Sequence, residues 1–211
     1  EEGTPEPDSL RQRFEAIHAQ AQRMGEIIRH MRIFARRDRL IPEPFDPGQA
    51  TRQAVGMVDE QLALNRVELR LSVPDAAPPA LGHPVRLEQV VMNLVRNAHD
   101  SIEARSADGD TPANRVVTVR LAVLEKDDKV AITVDDTGGG IPVDVLPHLF
   151  DPFYTTKEPG HGTGLGLSVA YGIVGAMSGT LQAENLEDGA RITILLPTAG
   201  DDGDAGGKEA S

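Results

Sequence analysis

The residues best suited to chemistry sit on one stretch, Leu87-Glu88-Gln89-Val90-Val91-Met92-Asn93-Leu94-Val95-Arg96-Asn97-Ala98-His99-Asp100. Its apolar stripe at Leu87, Val91, Leu94 and Ala98 predicts a helix. Asn93 and Asn97 then share a face four residues apart, with Asp100 close to the same line. Neutral amide oxygens suit a magnesium ion that keeps most of its waters and is held mainly through substrate phosphates. Standing alone, the pattern reads better as two solvent-facing asparagines on a surface helix.

Three further motifs follow in order. Asp135-Asp136-Thr137-Gly138-Gly139-Gly140-Ile141-Pro142 comes directly after a predicted strand. Consecutive glycines let a backbone approach a flat ligand, and a carboxylate just before them can accept a hydrogen bond from an exocyclic amine. Adenine offers that amine and guanine a carbonyl, so Asp136 would select ATP over GTP. Leu149-Phe150-Asp151-Pro152-Phe153-Tyr154-Thr155-Thr156-Lys157 reads as a hinged lid with aromatic anchors, ending in an ammonium that can reach a terminal phosphate. Gly160-His161-Gly162-Thr163-Gly164-Leu165-Gly166-Leu167 is glycine-rich and runs into a helix, whose first amides make an anion site. It is neither a Walker loop nor a Rossmann fingerprint, because no Gly-Lys-Ser/Thr follows and no βαβ unit surrounds it.

The elements that must position these motifs are legible from periodicity. Helix is expected from about Gly48 to Leu64, strand from Val67 to Val73, an extended piece around Ala80-Leu81, and a longer helix from about Pro84 to Ala104. Strands follow at Val116–Val123 and Val130–Val134, then a helix from about Gly164 to Met177 and strands at Thr180–Glu184 and Arg191–Leu196. The late strands are joined by hairpin-length links, so the fold class is an α/β two-layer sandwich, a mixed sheet with helices on one face.

The N-terminal segment is a different kind of object. Its apolar residues Leu10, Phe14, Ile17, Ala21, Met24, Ile28, Met31 and Ala35 alternate spacings of four and three, a heptad seam that needs a partner helix. Self-association is the expectation, with docking on its own domain as the alternative. Three prolines in Pro42–Pro47 end that helix and stiffen a connector. The expected organisation is residues 1–40 as a bundle helix, 41–47 as a linker, 48–198 as the folded domain, and 199–211 as a disordered tail of Gly, Asp and Ala.

Bulk properties narrow the classes. A net charge of −12 argues against general nucleic-acid binding, and the lack of cysteine rules out disulfides and thiolate metal sites. No apolar run approaches the roughly 20 residues that span a bilayer. A cytoplasmic setting is expected for this piece, whatever anchor the whole protein has.

Together the four motifs resemble the N, G1, F and G2 boxes of the histidine-kinase catalytic domain, within the gyrase, Hsp90, histidine-kinase and MutL superfamily. The resemblance covers about Phe45 to Pro197. With Arg96 inside the N box and a short Tyr-Thr-Thr-Lys lid, it is most similar to nitrogen-regulatory and dicarboxylate-sensing kinases. It implies a Bergerat-type ATP-binding fold with Asn97 as magnesium ligand, Asn93 supporting the phosphates, Asp136 on the adenine amine, and Gly138 and Gly140 shaping its pocket. Lys157, with Asn97, would be catalytic, and the turn Gly162–Gly166 would hold the triphosphate. Arg96, Asp100, Ile141, Tyr154, Thr156, Thr163, Gly164 and Leu165 complete the candidate nucleotide contacts. The hydrolytic branches of the superfamily carry a glutamate where this chain has Asn93, which cannot take a proton, so slow hydrolysis is expected.

Phe14 to Arg37 resembles the second helix of the dimerisation and histidine-phosphotransfer bundle. The family's phosphoacceptor is a histidine followed by an acid on the first bundle helix. The expectation is that the chain carries no such pair: His18 precedes Ala19 and His30 precedes Met31, so no phosphoacceptor is assigned. The implied partners are a second copy of the chain and a response regulator receiver domain. The competing readings are an ATP-hydrolysing clamp and a nucleotide-free phosphotransfer scaffold.

Overall fold

The computed structural model describes residues 42–107, 109, 114–157 and 164–200. The expected N-terminal bundle helix, and the tail from residue 201 onward, lie outside the described residues.

Helix α1 (Pro47–Leu64) begins where Asp46 accepts hydrogen bonds on Oδ1 from the amides of Gly48 (2.8 Å) and Gln49 (3.1 Å), with Pro47 at the first helical position. Its buried residues Ala50, Ala54, Val58 and Leu62 repeat at four-residue intervals and form one stripe. Helix α2 (Pro84–Ala107) buries Leu87, Val90, Val91, Leu94, Val95, Ala98 and Ile102, and packs against both α1 and α3 (Gly166–Ala176). Helix α3 starts at Gly166, later than expected, because Gly164 has φ +63°, outside the right-handed helical region.

The main sheet has the order β2 (Glu68–Ser72), β4 (Val116–Leu124), β5 (Lys129–Asp136), β7 (Ala190–Pro197), β6 (Thr180–Asn185). Strand β2 is parallel to β4, reached by a crossover that contains α2; every other neighbouring pair is antiparallel. Val117, Val119, Leu121, Val130, Ile132, Val134, Ile194 and Leu196 point from the sheet into the core that the helices complete. This is the expected two-layer sandwich with a mixed sheet. Among the described residues no helix is long and apolar enough to cross a membrane.

Two departures bear on the site. Strand β5 runs two residues beyond the expected end at Val134, to Asp136, because Asp135 pairs with both Thr118 and Arg191 and Asp136 pairs with Val117. The acids therefore belong to a strand rather than a turn. The stretch expected as a linker also contributes to the fold: β1 (Glu43–Phe45) pairs antiparallel with β3 (Ala80–Gly82), and Phe45 is buried in the core. Burial of that ring stabilises the unit by on the order of 2 kcal/mol, which proline content alone did not signal.

Candidate functional site

The site forms where one face of α2 meets the start of α3, the end of β5 and the segment before Lys157. Asn93 donates through Nδ2 to the carbonyl of Gly166 (3.4 Å), and a Cβ on Gly166 would lie 3.8 Å from Nδ2 of Asn97. Both asparagines thus adjoin the N-terminus of α3, whose cap residue, Leu165, supplies no side-chain hydrogen bond. Asp100 accepts a hydrogen bond on Oδ2 from the Lys157 ammonium at 2.6 Å. Helical periodicity put the three α2 residues on one face; the tertiary fold adds Gly166 and Lys157 to them. Arg96, three residues after Asn93 and four before Asp100 on α2, flanks this cluster and is exposed.

Strand alternation separates the two neighbouring acids. Asp136 follows Val130, Ile132 and Val134 toward the helices, whereas Asp135 points to the opposite face, where Arg191 donates to it from Nε (2.7 Å) and Nη2 (2.8 Å) and Arg120 pairs with it as well. Asp136 accepts two amides on Oδ1, from Gly138 (2.8 Å) and Ala190 (3.3 Å), which leaves the second oxygen for another donor. Burial pushes the Asp136 carboxyl above the usual carboxylate range. The two amides work against that shift, and the charge of Asp135 adds to it.

The glycines after Asp136 have reasons visible in the packing. A Cβ on Gly138 would stand 2.6 Å from Cβ of Ser101 on α2, so only glycine lets the turn close onto the helix. Gly140 has φ +87° and lies against Asn185. Ile141, the next residue, exchanges two hydrogen bonds with that side chain: its amide donates to Oδ1 (2.7 Å), and Nδ2 donates to its carbonyl (2.8 Å).

Reading the sequence missed this supporting wall. Asn185, Asp188 and Gly189 belong to the β6–β7 hairpin, which looked like an ordinary turn. Arg105, on the last turn of α2, donates to the carbonyls of Thr137 and Asp188, both at 3.2 Å, and ties the hairpin to the glycine turn. The Gly139 amide donates to Asp188 as well (3.2 Å). A Cβ on Gly189 would lie 1.8 Å from the backbone oxygen of Asp136. Gly189→Ala is therefore expected to destabilise the fold by about 2 kcal/mol, since two backbones must separate. A denaturation midpoint equal to wild type would show that the hairpin does not press on Asp136.

The lid is only partly anchored. Phe150 stacks on Tyr171 with ring centroids 5.4 Å apart, but Phe153 is 64% exposed and has φ +67°, so it is not the anchor expected of it. Tyr154 and Thr156 are exposed too. The Phe153 amide donates to the carbonyl of Gly164 (2.9 Å), and a Cβ on Gly164 would come within 2.6 Å of the Phe153 backbone. Gly162 and Thr163 lie outside the described residues.

The expectation that the chain carries no histidine followed by an acid is corrected by His99-Asp100 on α2. These residues lie in the catalytic unit, with the His99 side chain only 16% exposed, Nδ1 3.3 Å from Asp100 and Nε2 buried. The pair is thus packed into α2, with little of the imidazole open to solvent.

No group of three His, Cys, Asp or Glu side chains among the described residues could hold a metal by itself. The donor set on α2 is amide oxygen, with Asp100 engaged by Lys157. That fits magnesium bound mostly through phosphate and water, and does not fit a cage built from protein alone.

Residues 82–200 match the family described as histidine kinase-, DNA gyrase B-, and HSP90-like ATPase. The two-component sensor PprA of Pseudomonas aeruginosa is 36% identical over 192 residues, 91% of this chain and 20% of that protein. The C4-dicarboxylate transport sensor protein DctB of the same species is 34% identical over 194 residues, 90% of this chain and 30% of that protein. The chain thus spans a minor part of both relatives. In fold it is similar to the catalytic domain of histidine kinase ThkA (TM-score 0.64, 24% identity, 75% of this chain and 97% of that one). It is also similar to full-length ShkA, solved in complex with AMPPNP (TM-score 0.71, 22% identity, 94% of this chain and 41% of that one).

Proposed function

Because the chain belongs to the histidine kinase-, DNA gyrase B-, and HSP90-like ATPase family, we propose that it is the ATP-binding catalytic part of a two-component sensor histidine kinase. The observation that carries this reading is Asp136. It is a half-buried carboxylate that keeps one oxygen for a ligand amine, held at the end of β5 by Gly138 and Ala190.

Adenine would present its amine to Asp136, beside the turn that Gly138 brings onto α2. The triphosphate would run along α2 toward Asn93, Asn97 and Lys157, meeting the N-terminal amides of α3, where Leu165 and Gly166 lead the helix. Magnesium, when bound, neutralises phosphate charge and orients the transferred group, with Asn97 as its protein ligand. In the transfer, the bond from the γ-phosphorus to the bridging oxygen of ADP breaks as a bond to an imidazole nitrogen forms in line with it. The protein's contribution is alignment and charge, from Lys157 and the helix amides. Asn93 offers no carboxylate to deprotonate water, which favours histidine over hydrolysis.

The acceptor imidazole would sit on a helix of the bundle to which residues 1–40 contribute, in a homodimer. The phosphoryl group would pass on to an aspartate of a response regulator, in the cytoplasm where ATP is supplied. The test is a calorimetric titration of this chain with a non-hydrolysable ATP analogue, with and without magnesium, and with the GTP analogue as control. Magnesium-dependent, adenine-selective binding is expected; a folded sample that binds neither nucleotide would leave the fold as a scaffold.

A further inference from the structure

Lys157 and Asp100 are 57 residues apart in sequence, yet the ammonium lies 2.6 Å from Oδ2. The pair joins two parts of the site that are otherwise loosely connected. Residues 151–156 are all exposed. Upstream, the segment is held by the Phe150–Tyr171 stack and the Phe153 amide bond to Gly164. At its end the Lys157 amide donates to Oγ1 of Thr155 (3.2 Å), a local turn that orients the lysine without tying it to the domain. Among the described residues, the contact that ties the lysine to α2 is the one with Asp100.

Asp100 is placed by α2. It stands three residues after Asn97, about 4.5 Å further along the helix axis and on the same face. Its other oxygen is engaged by His99 Nδ1 at 3.3 Å, which fixes the rotation of the carboxylate. A lysine held there has two remaining N–H donors within reach of whatever lies beside Asn97.

We infer that Asp100 is a positioning residue: through its ion pair it holds the Lys157 ammonium at the phosphate end of the site. The inference rests on the nucleotide reading above. It predicts a sign opposite to that of simple electrostatics. A carboxylate beside a triphosphate repels it, so removing the charge should by itself tighten binding. If Asp100 acts by holding Lys157, removing it weakens binding, because the lysine must then be ordered by the ligand.

The test is calorimetry of this chain with AMPPNP and magnesium. Asp100→Asn is expected to bind about three- to fivefold more weakly, the scale of a partly exposed ion pair, and Asp100→Glu to recover most of the loss. In a Lys157→Met background, Asp100→Asn is expected to have no further effect. Hydrogen exchange should also quicken at residues 154–157 in Asp100→Asn. Unchanged or tighter binding by Asp100→Asn, or a loss that adds fully to that of Lys157→Met, overturns the inference and leaves the nucleotide site standing. Failure of the wild-type chain to bind AMPPNP overturns both.

Discussion

Asp136→Asn is expected to lower affinity for ATP by about 100-fold or more while the protein stays folded. The asparagine oxygen can keep the two backbone bonds that Oδ1 accepts, from Gly138 and Ala190. What changes is the second position, where an NH2 group would face the adenine amine, donor against donor. Losing a charge-assisted hydrogen bond costs about 1.5–3 kcal/mol, and the opposed donors add to it; each 1.4 kcal/mol is roughly tenfold in affinity. Calorimetry with the ATP analogue checks this, and full affinity in a folded variant would remove Asp136 from the adenine site.

The same substitution has a stability signature with a definite sign. Burial raises the Asp136 pKa in the folded state. Between the unfolded and folded values the native protein therefore holds more protons, and stability falls as pH rises through that window. Below the unfolded value the group contributes nothing; above the folded value the penalty is complete. An asparagine does not ionise, so Asp136→Asn should gain in thermal midpoint over wild type as pH rises from the ordinary carboxylate range, and hold that gain above it. A difference between the two proteins that does not depend on pH would refute the assignment of burial as the dominant cause.

Asn97→Asp is expected to slow phosphoryl transfer to a supplied histidine helix by about 100-fold, with nucleotide affinity changed only a few-fold. The carboxylate would bind magnesium more tightly and in a different geometry, and it would stand one turn from Asp100, where it competes for Lys157. Fold disruption does not account for such a loss, because the bond from Ser101 Oγ to residue 97 is to the backbone oxygen. Single-turnover transfer measurements give the answer, and a wild-type rate would take Asn97 out of the metal site.

Much of this site was legible without coordinates, for a local reason. A helix with 3.6 residues per turn places Asn93, Asn97 and Asp100 together whatever surrounds it, and glycines at 138–140 announce a tight turn wherever they fall. Alternation marked strands and stripes marked helices, so the sandwich and its mixed sheet followed from patterns a few residues long. The family was legible too, in four motifs kept in order.

Other features depended on contacts that no local pattern encodes. The split between Asp135 and Asp136 turned on β5 continuing to pair with β4 and β7 up to its last residues, which sent one acid to Arg191 and the other toward Gly138 and α2. Asn185 reaches Ile141 across 44 residues, and Gly189 is glycine because Asp136 lies against it. Phe45 enters the core only because β1 finds β3. Backbone periodicity is set within a turn or two of chain, so the sequence by itself determined which residues could do chemistry and on which element each would stand. Which of them meet is decided by how the core packs those elements together, and that the tertiary structure alone decided.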